Sequence, residues 1–129
     1  DAHERLTSAR DARGRRFKVH KLMQPGPLRT TQQEASGVDA AQGTKPREAG
    51  ARLAASYVNF YLGTRRVVVP LLDPQRDGAA LRKLKALFPG RGIVGVPGRE
   101  ILLGGGNIHC ITQQVPAARR RRSRMTHRG

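Results

Sequence analysis

The chain has 129 residues, enough for one small domain with a modest core. Two Tyr, three Phe and no Trp leave burial to Leu, Val, Ile and Ala, and no apolar run approaches the roughly 20 residues that would span a bilayer. A single cysteine excludes an internal disulfide, and 25 basic residues against 9 acidic ones set a formal charge of +16.

The chain opens on Asp1 rather than methionine, so further sequence is expected upstream. No secretory signal is visible and one cysteine gives no reason to propose export, which makes the cytoplasm the default expectation. Six arginines and no acid fall within residues 119–129, so the body keeps +10, which is 16 minus 6. A surplus of that size favours polyanions. The arginines are nevertheless scattered and lack the aromatic platforms that single-strand binders use, so nucleic acid is not the expected partner.

Residues 2–13 read as a helix with a thin apolar face (Ala2, Leu6, Ala9, Ala12), stopped by Gly14. Arg15 to Met23 alternates, with Phe17 and Val19 on one side, and predicts a strand. Gln24 to Gly50 is irregular and opens with Pro25-Gly26-Pro27. A loop this long either covers a binding site or makes a plain surface connection. Within it, Thr30 to Glu34 predicts a short capped turn of helix.

Leu53 to Leu62 predicts a strand with Val58, Phe60 and Leu62 on one face. Tyr57, Asn59 and Tyr61 would share the other, polar enough to line a cleft. Gly63-Thr64 turns the chain into a second strand over Arg65 to Leu72, making a hairpin. Asp73-Pro74 predicts a helix start. Leu81, Leu84, Leu87 and Phe88 form its apolar stripe, and Pro89-Gly90 ends it. Gly92 to Val96 predicts a buried strand. Residues 53–96 thus read strand, strand, helix, strand, and residues 2–23 could be the second half of a preceding unit of the same kind.

Everything is organised around Gly104-Gly105-Gly106-Asn107-Ile108-His109-Cys110. Glycines let backbone approach what side chains would block, and a lone cysteine after such a loop is a candidate nucleophile. Its thiol would need a positive neighbour, a helix N-terminus or a base to ionise near neutral pH. Ile108 to Gln113 predicts a strand, which would point His109 away from Cys110. On pattern alone, a buried and inert cysteine is the commoner alternative. The arginine-rich residues 117–129 have nothing to bury and predict a disordered tail.

Gly104-Gly-Gly-Asn-Ile-His-Cys-Ile-Thr-Gln-Gln114 resembles the C-terminal signature of the agmatine deiminase family, also called the Porphyromonas-type peptidylarginine deiminase family. Pro46-Arg-Glu-Ala-Gly50, Ala55-Ser-Tyr-Val-Asn-Phe-Tyr61, Val67-Val-Val-Pro70 and Phe88-Pro-Gly90 agree with it in order. The resemblance implies an α/β fold, the five-fold pseudosymmetric pentein propeller of strand-strand-helix-strand units. This chain would hold about the last one and a half of them, over residues 1–116. It implies hydrolysis of agmatine to N-carbamoylputrescine and ammonia, with Cys110 as nucleophile and no metal or organic cofactor.

Gly106 and Asn107 are the candidate substrate contacts, because the glycine loop would let the flat cation come close to backbone. The family's general-acid histidine and guanidinium-binding carboxylates match nothing in this chain. They are expected in a missing N-terminal part of the same fold, and the isolated chain is expected not to turn over. Two alternatives stand beside this reading: a protein-arginine deiminase of the same family, and a basic nucleic-acid-binding remnant.

Overall fold

The computed structural model describes residues 1–37, 42–43 and 47–116. The expected arginine-rich tail, residues 117–129, lies outside them, as does Pro46 of the matched segments.

Among the described residues seven elements form, in the order α1 (Ala2–Ser8), α2 (Gln32–Ser36), β1 (Tyr61–Leu62), β2 (Arg66–Leu71), α3 (Asp77–Leu87), β3 (Gly92–Pro97) and α4 (Arg99–Leu103). β1, β2 and β3 make one mixed sheet in that order. β1 runs antiparallel to β2, with Tyr61 opposite Val68. β2 runs parallel to β3, from Arg66 opposite Gly92 to Leu71 opposite Pro97. A parallel pair needs a crossover, and α3 supplies it. No helix of the described residues is long and apolar enough to cross a membrane.

The core lies between the sheet and α3. Val67 and Val69 of β2 are fully buried against Ala80 and Leu84 of α3, with Tyr57, Leu72 and Leu102 closing the cluster. The predicted α3 stripe holds: Leu84 is buried, Leu81 and Phe88 pack at its margin, and Phe88 meets Phe60 edge to face. The capped turn near residue 30 also forms. Thr31 caps α2 through a capping box with Glu34, whose carboxylate reaches back to the Thr31 N–H at 2.7 Å.

Other expectations fail for local reasons. α1 stops at Ser8, because the chain turns at Asp11, whose side chain collects the N–H groups of Arg13 and Arg15. No strand forms over residues 15–23. Arg16 makes one isolated bridge to Arg10, while Phe17 and Met23 stay exposed. Lys18, His20 and Lys21 deny this stretch an apolar face to bury.

The strand expected from Leu53 shrinks to Tyr61–Leu62. A turn closed by Asn59 N–H on the Ser56 carbonyl aims Tyr57 into the core instead of at a cleft. α3 begins at Asp77 rather than at Asp73-Pro74. Asp77 Oδ1 accepts from the backbone N–H groups of Leu72 and Asp73 and from the Tyr57 hydroxyl, at 2.9, 2.9 and 2.7 Å. Burial and that carboxylate push the Tyr57 phenol pKa up. Asp73 instead accepts from Gln75 N–H and, at 2.8 Å, from Gly26 N–H, tying the early loop to the α3 entrance.

Candidate active site around Cys110

Two glycines bracket the approach to the cysteine. Gly98 precedes α4, an element absent from the expectations, and Gly104 ends it. A side chain at Gly98 would stand 2.8 Å from Pro70 Cβ and 3.0 Å from Asn107 Oδ1, so only glycine fits this close crossing. Gly105 takes φ +93°, a left-handed conformation that favours glycine. The chain then folds over at Asn107, Ile108, His109 and Cys110.

The strand expected over Ile108 to Gln113 does not form. Ile111 N–H bonds back to the Asn107 carbonyl, Thr112 N–H to the His109 carbonyl, and Thr112 Oγ1 to the Ile108 carbonyl at 2.9 Å. These are helical-turn hydrogen bonds, so strand alternation does not decide where His109 points. Among the described residues the His109 ring makes no hydrogen bond to the cysteine sulfur.

Cys110 is exposed and free. Its sulfur lies 3.1 Å from Asn59 Nδ2. The other end of the same amide, Asn59 Oδ1, accepts from His109 N–H at 2.8 Å and from Cys110 N–H at 3.3 Å. One side chain thus fixes both the backbone and the sulfur of the cysteine loop. The Asn107 backbone N–H, foremost, and then the Asn59 amide hold the Cys110 thiol pKa below the usual cysteine value, because each N–H favours the thiolate.

The candidate contacts take definite places. Gly106 packs against the cysteine itself: a Cβ there would stand 2.7 Å from Cys110 Cβ and 3.0 Å from the sulfur. The room this glycine leaves is filled by the Cys110 side chain. Asn107 is 1% exposed. Its Nδ2 donates to the Gly98 carbonyl and its Oδ1 accepts from Ile108 N–H, both at 3.0 Å. Among the described residues its amide makes no hydrogen bond to the cysteine sulfur. The sequence places Asn59 on a polar face expected to line a cleft and within the matched segment Ala55–Tyr61, with nothing to pair it with Cys110 in particular.

A second tie supports the loop from behind. Arg99, at the start of α4, donates from Nε to Glu34 Oε1 at 2.7 Å and from NH2 to Glu34 Oε2 and to the Arg29 carbonyl, both at 2.9 Å. Arg99, followed by the Thr31 N–H, lowers the Glu34 carboxyl pKa to about 2. A cavity of about 650 Å³ opens beside this clamp, walled by Thr30, Leu53, Leu102 and Gly105 among others. Neither Cys110 nor Asn59 lines it. Among the described residues no group of three His, Cys, Asp or Glu side chains could hold a metal ion.

The family model for Porphyromonas-type peptidyl-arginine deiminase matches residues 1–116, and the chain belongs to that family. A protein of Shewanella sp. (strain W3-18-1) named "Putative agmatine deiminase" is 57% identical over 118 residues, covering 92% of this chain and 32% of its own length. The agmatine deiminase of Enterococcus faecalis superposes with a TM-score of 0.82 at 44% identity, over 90% of this chain and 32% of that one. The C. jejuni agmatine deiminase gives a TM-score of 0.54 at 26% identity, over 73% and 24%. The chain is therefore an α/β segment that matches part of the agmatine deiminase structure. It spans about a third of the length of these relatives.

Proposed function

We propose that this chain is the C-terminal part of a pentein-fold agmatine deiminase, and that Cys110 is its nucleophile. The observation that carries the reading is the environment of the sulfur: exposed, packed on Gly106, and hydrogen-bonded by Asn59 Nδ2. The order β1, β2, α3, β3 supports one full strand-strand-helix-strand unit. The family match over residues 1–116 and the 57% identity to Shewanella relatives support the chemistry.

In that chemistry the thiolate attacks the guanidinium carbon of agmatine and forms a C–S bond. A C–N bond breaks and ammonia leaves, carrying the proton delivered by a general acid. Water then adds to the thiouronium carbon, the C–S bond breaks, and N-carbamoylputrescine departs as the thiolate is restored. The bound substrate cation beside the sulfur would depress the thiol pKa further. The general acid and the carboxylates that hold the guanidinium belong to the two thirds of the fold that this chain does not span. The chain alone accordingly gives no turnover.

A chimera tests the assignment. Residues 1–116 would replace the matching third of the Enterococcus faecalis enzyme, and ammonia release from agmatine would be measured. The expected result is activity that vanishes with Cys110→Ala. A folded chimera that releases no ammonia refutes the agmatine reading. Release from a peptidyl-arginine substrate instead would move the assignment to the other branch of the family.

A further inference from the structure

The opposite end of the sheet carries a different kind of surface. β2 and β3 both begin there, with Arg66 opposite Gly92. The cysteine loop is tied to their other end, because Asn107 bonds to Gly98 and Gly98 N–H bonds to the Leu71 carbonyl. Six residues of strand separate the two ends by about 20 Å.

Four cations meet at this far end. Arg65 and Arg66 close the hairpin turn and are exposed. The Arg65 carbonyl accepts from Gly92 N–H, and a Cβ at Gly92 would lie 3.4 Å from Arg66 NH1, so the glycine lets the Arg66 guanidinium lie close over β3. Arg91 is anchored by Nε on the Gly63 carbonyl at 3.0 Å and by its guanidinium over the Phe88 ring at 5.8 Å. Lys85 Nζ donates to the Arg91 carbonyl at 3.0 Å. Among the described residues no carboxylate forms an ion pair with any of the four. A cavity of about 330 Å³ opens between Arg65, Arg66 and Gly92.

Arg65 and Arg66 face the cavity, and among the described residues no carboxylate pairs with them. Arg91 and Lys85 beside them are already fixed by bonds to backbone carbonyls and lose little side-chain freedom when an anion arrives. Arginine forks match phosphate oxygens in pairs, and a lysine adds a point charge. The cavity is small, at the lower end of the range for ligand sites. We propose that Arg65 and Arg66, with Arg91 and Lys85 flanking them, form a site for a compact, multiply charged phosphate anion of the pyrophosphate class, separate from the Cys110 site. The proposal is independent of the deiminase reading.

Calorimetric titration of the full chain with inorganic pyrophosphate at low ionic strength tests it. Binding is expected, with a Kd at least about tenfold weaker in Arg65→Ala/Arg66→Ala, since a charge-assisted hydrogen bond to phosphate is worth that order. Lys85→Ala should weaken it by a smaller factor. Arg121→Ala/Arg122→Ala removes the same charge from the arginine-rich stretch and, with the titrations repeated at about 0.1 M salt, should change Kd less than about twofold. A nucleoside diphosphate that binds as tightly as pyrophosphate supports recognition through the phosphates alone. Equal loss in both double variants, or no loss in Arg65→Ala/Arg66→Ala, overturns the site. So does a short single-stranded DNA that outcompetes pyrophosphate and depends on the same two arginines, because the occupant would then be a polymer.

Discussion

Asn107→Ala tests whether the side chain at the entry to the Cys110 turn is a support or a substrate contact. The amide is 1% exposed and makes two hydrogen bonds of 3.0 Å, one to the Gly98 carbonyl and one from Ile108 N–H. Gly98 is itself buried and Ile108 is only 5% exposed, so water has poor access to either group once the amide is gone. An unmade buried partner costs about 1–3 kcal/mol. Two such partners, partly relieved by water entering the space left behind, put the loss at about 2–4 kcal/mol. That is a large share of the roughly 5–15 kcal/mol that holds a small domain together.

Urea unfolding followed by far-UV circular dichroism reads this directly. With a slope of about 1–3 kcal/mol per molar urea, the midpoint should fall by roughly 1–2 M. The variant keeps the Asn107 backbone N–H, so a change in the Cys110 alkylation rate would report displacement of the turn rather than loss of that donor. A midpoint shift worth less than about 0.5 kcal/mol, the size of an ordinary surface change, would refute the supporting role. A substrate contact would predict that outcome: unchanged stability and weakened binding.

Two further outcomes follow from the same geometry. Asn59→Ala removes the second of the two amide donors that favour the thiolate, so the pH profile of Cys110 alkylation should move to higher pH; an unmoved profile would mean that the 3.1 Å hydrogen bond does not act on the thiolate. Glu34 has a folded pKa depressed from 4.5 to about 2, so its contribution is present above pH 4.5 and is lost as pH falls toward 2. Urea midpoints measured across that window should therefore decline, and Arg99→Ala should flatten the decline; equal slopes in both proteins would sink this account of the clamp.

The readable and unreadable parts of this chain divide by the distance over which residues act. α3 is legible because Leu81, Leu84 and Phe88 repeat at helical spacing, and a buried stripe needs no knowledge of its partner beyond its being apolar. β2 and β3 are legible because Val67, Val69, Ile93 and Val94 form short apolar runs bounded by turn residues. The capping box at Thr31 and Glu34 is local by nature.

The errors fall where a distant partner decides. Tyr57 faces inward because Asp77, twenty residues on, takes its hydroxyl, and alternation along residues 53–62 cannot register that. Phe17 sits in an alternating stretch whose pairing, among the described residues, is the single isolated bridge of Arg16 to Arg10. Ile108 to Gln113 has strand-like composition, yet hydrogen bonds returning to Asn107, Ile108 and His109 wind it into a turn. Cys110 is legible from its motif. Its pairing with Asn59 is not, because 51 residues separate the two and nothing in the sequence pairs them in particular.

The single oxygen of Asp77 that gathers Tyr57, Leu72 and Asp73 has a bearing on how the molecule breathes. The loop before β1, the exit of β2 and the first turn of α3 all end on that atom. None of the three can loosen without leaving a donor unmatched beside the other two. Their amides should exchange with solvent as one cooperative unit, while the region before residue 24, held mostly by bonds within itself, exchanges on its own schedule.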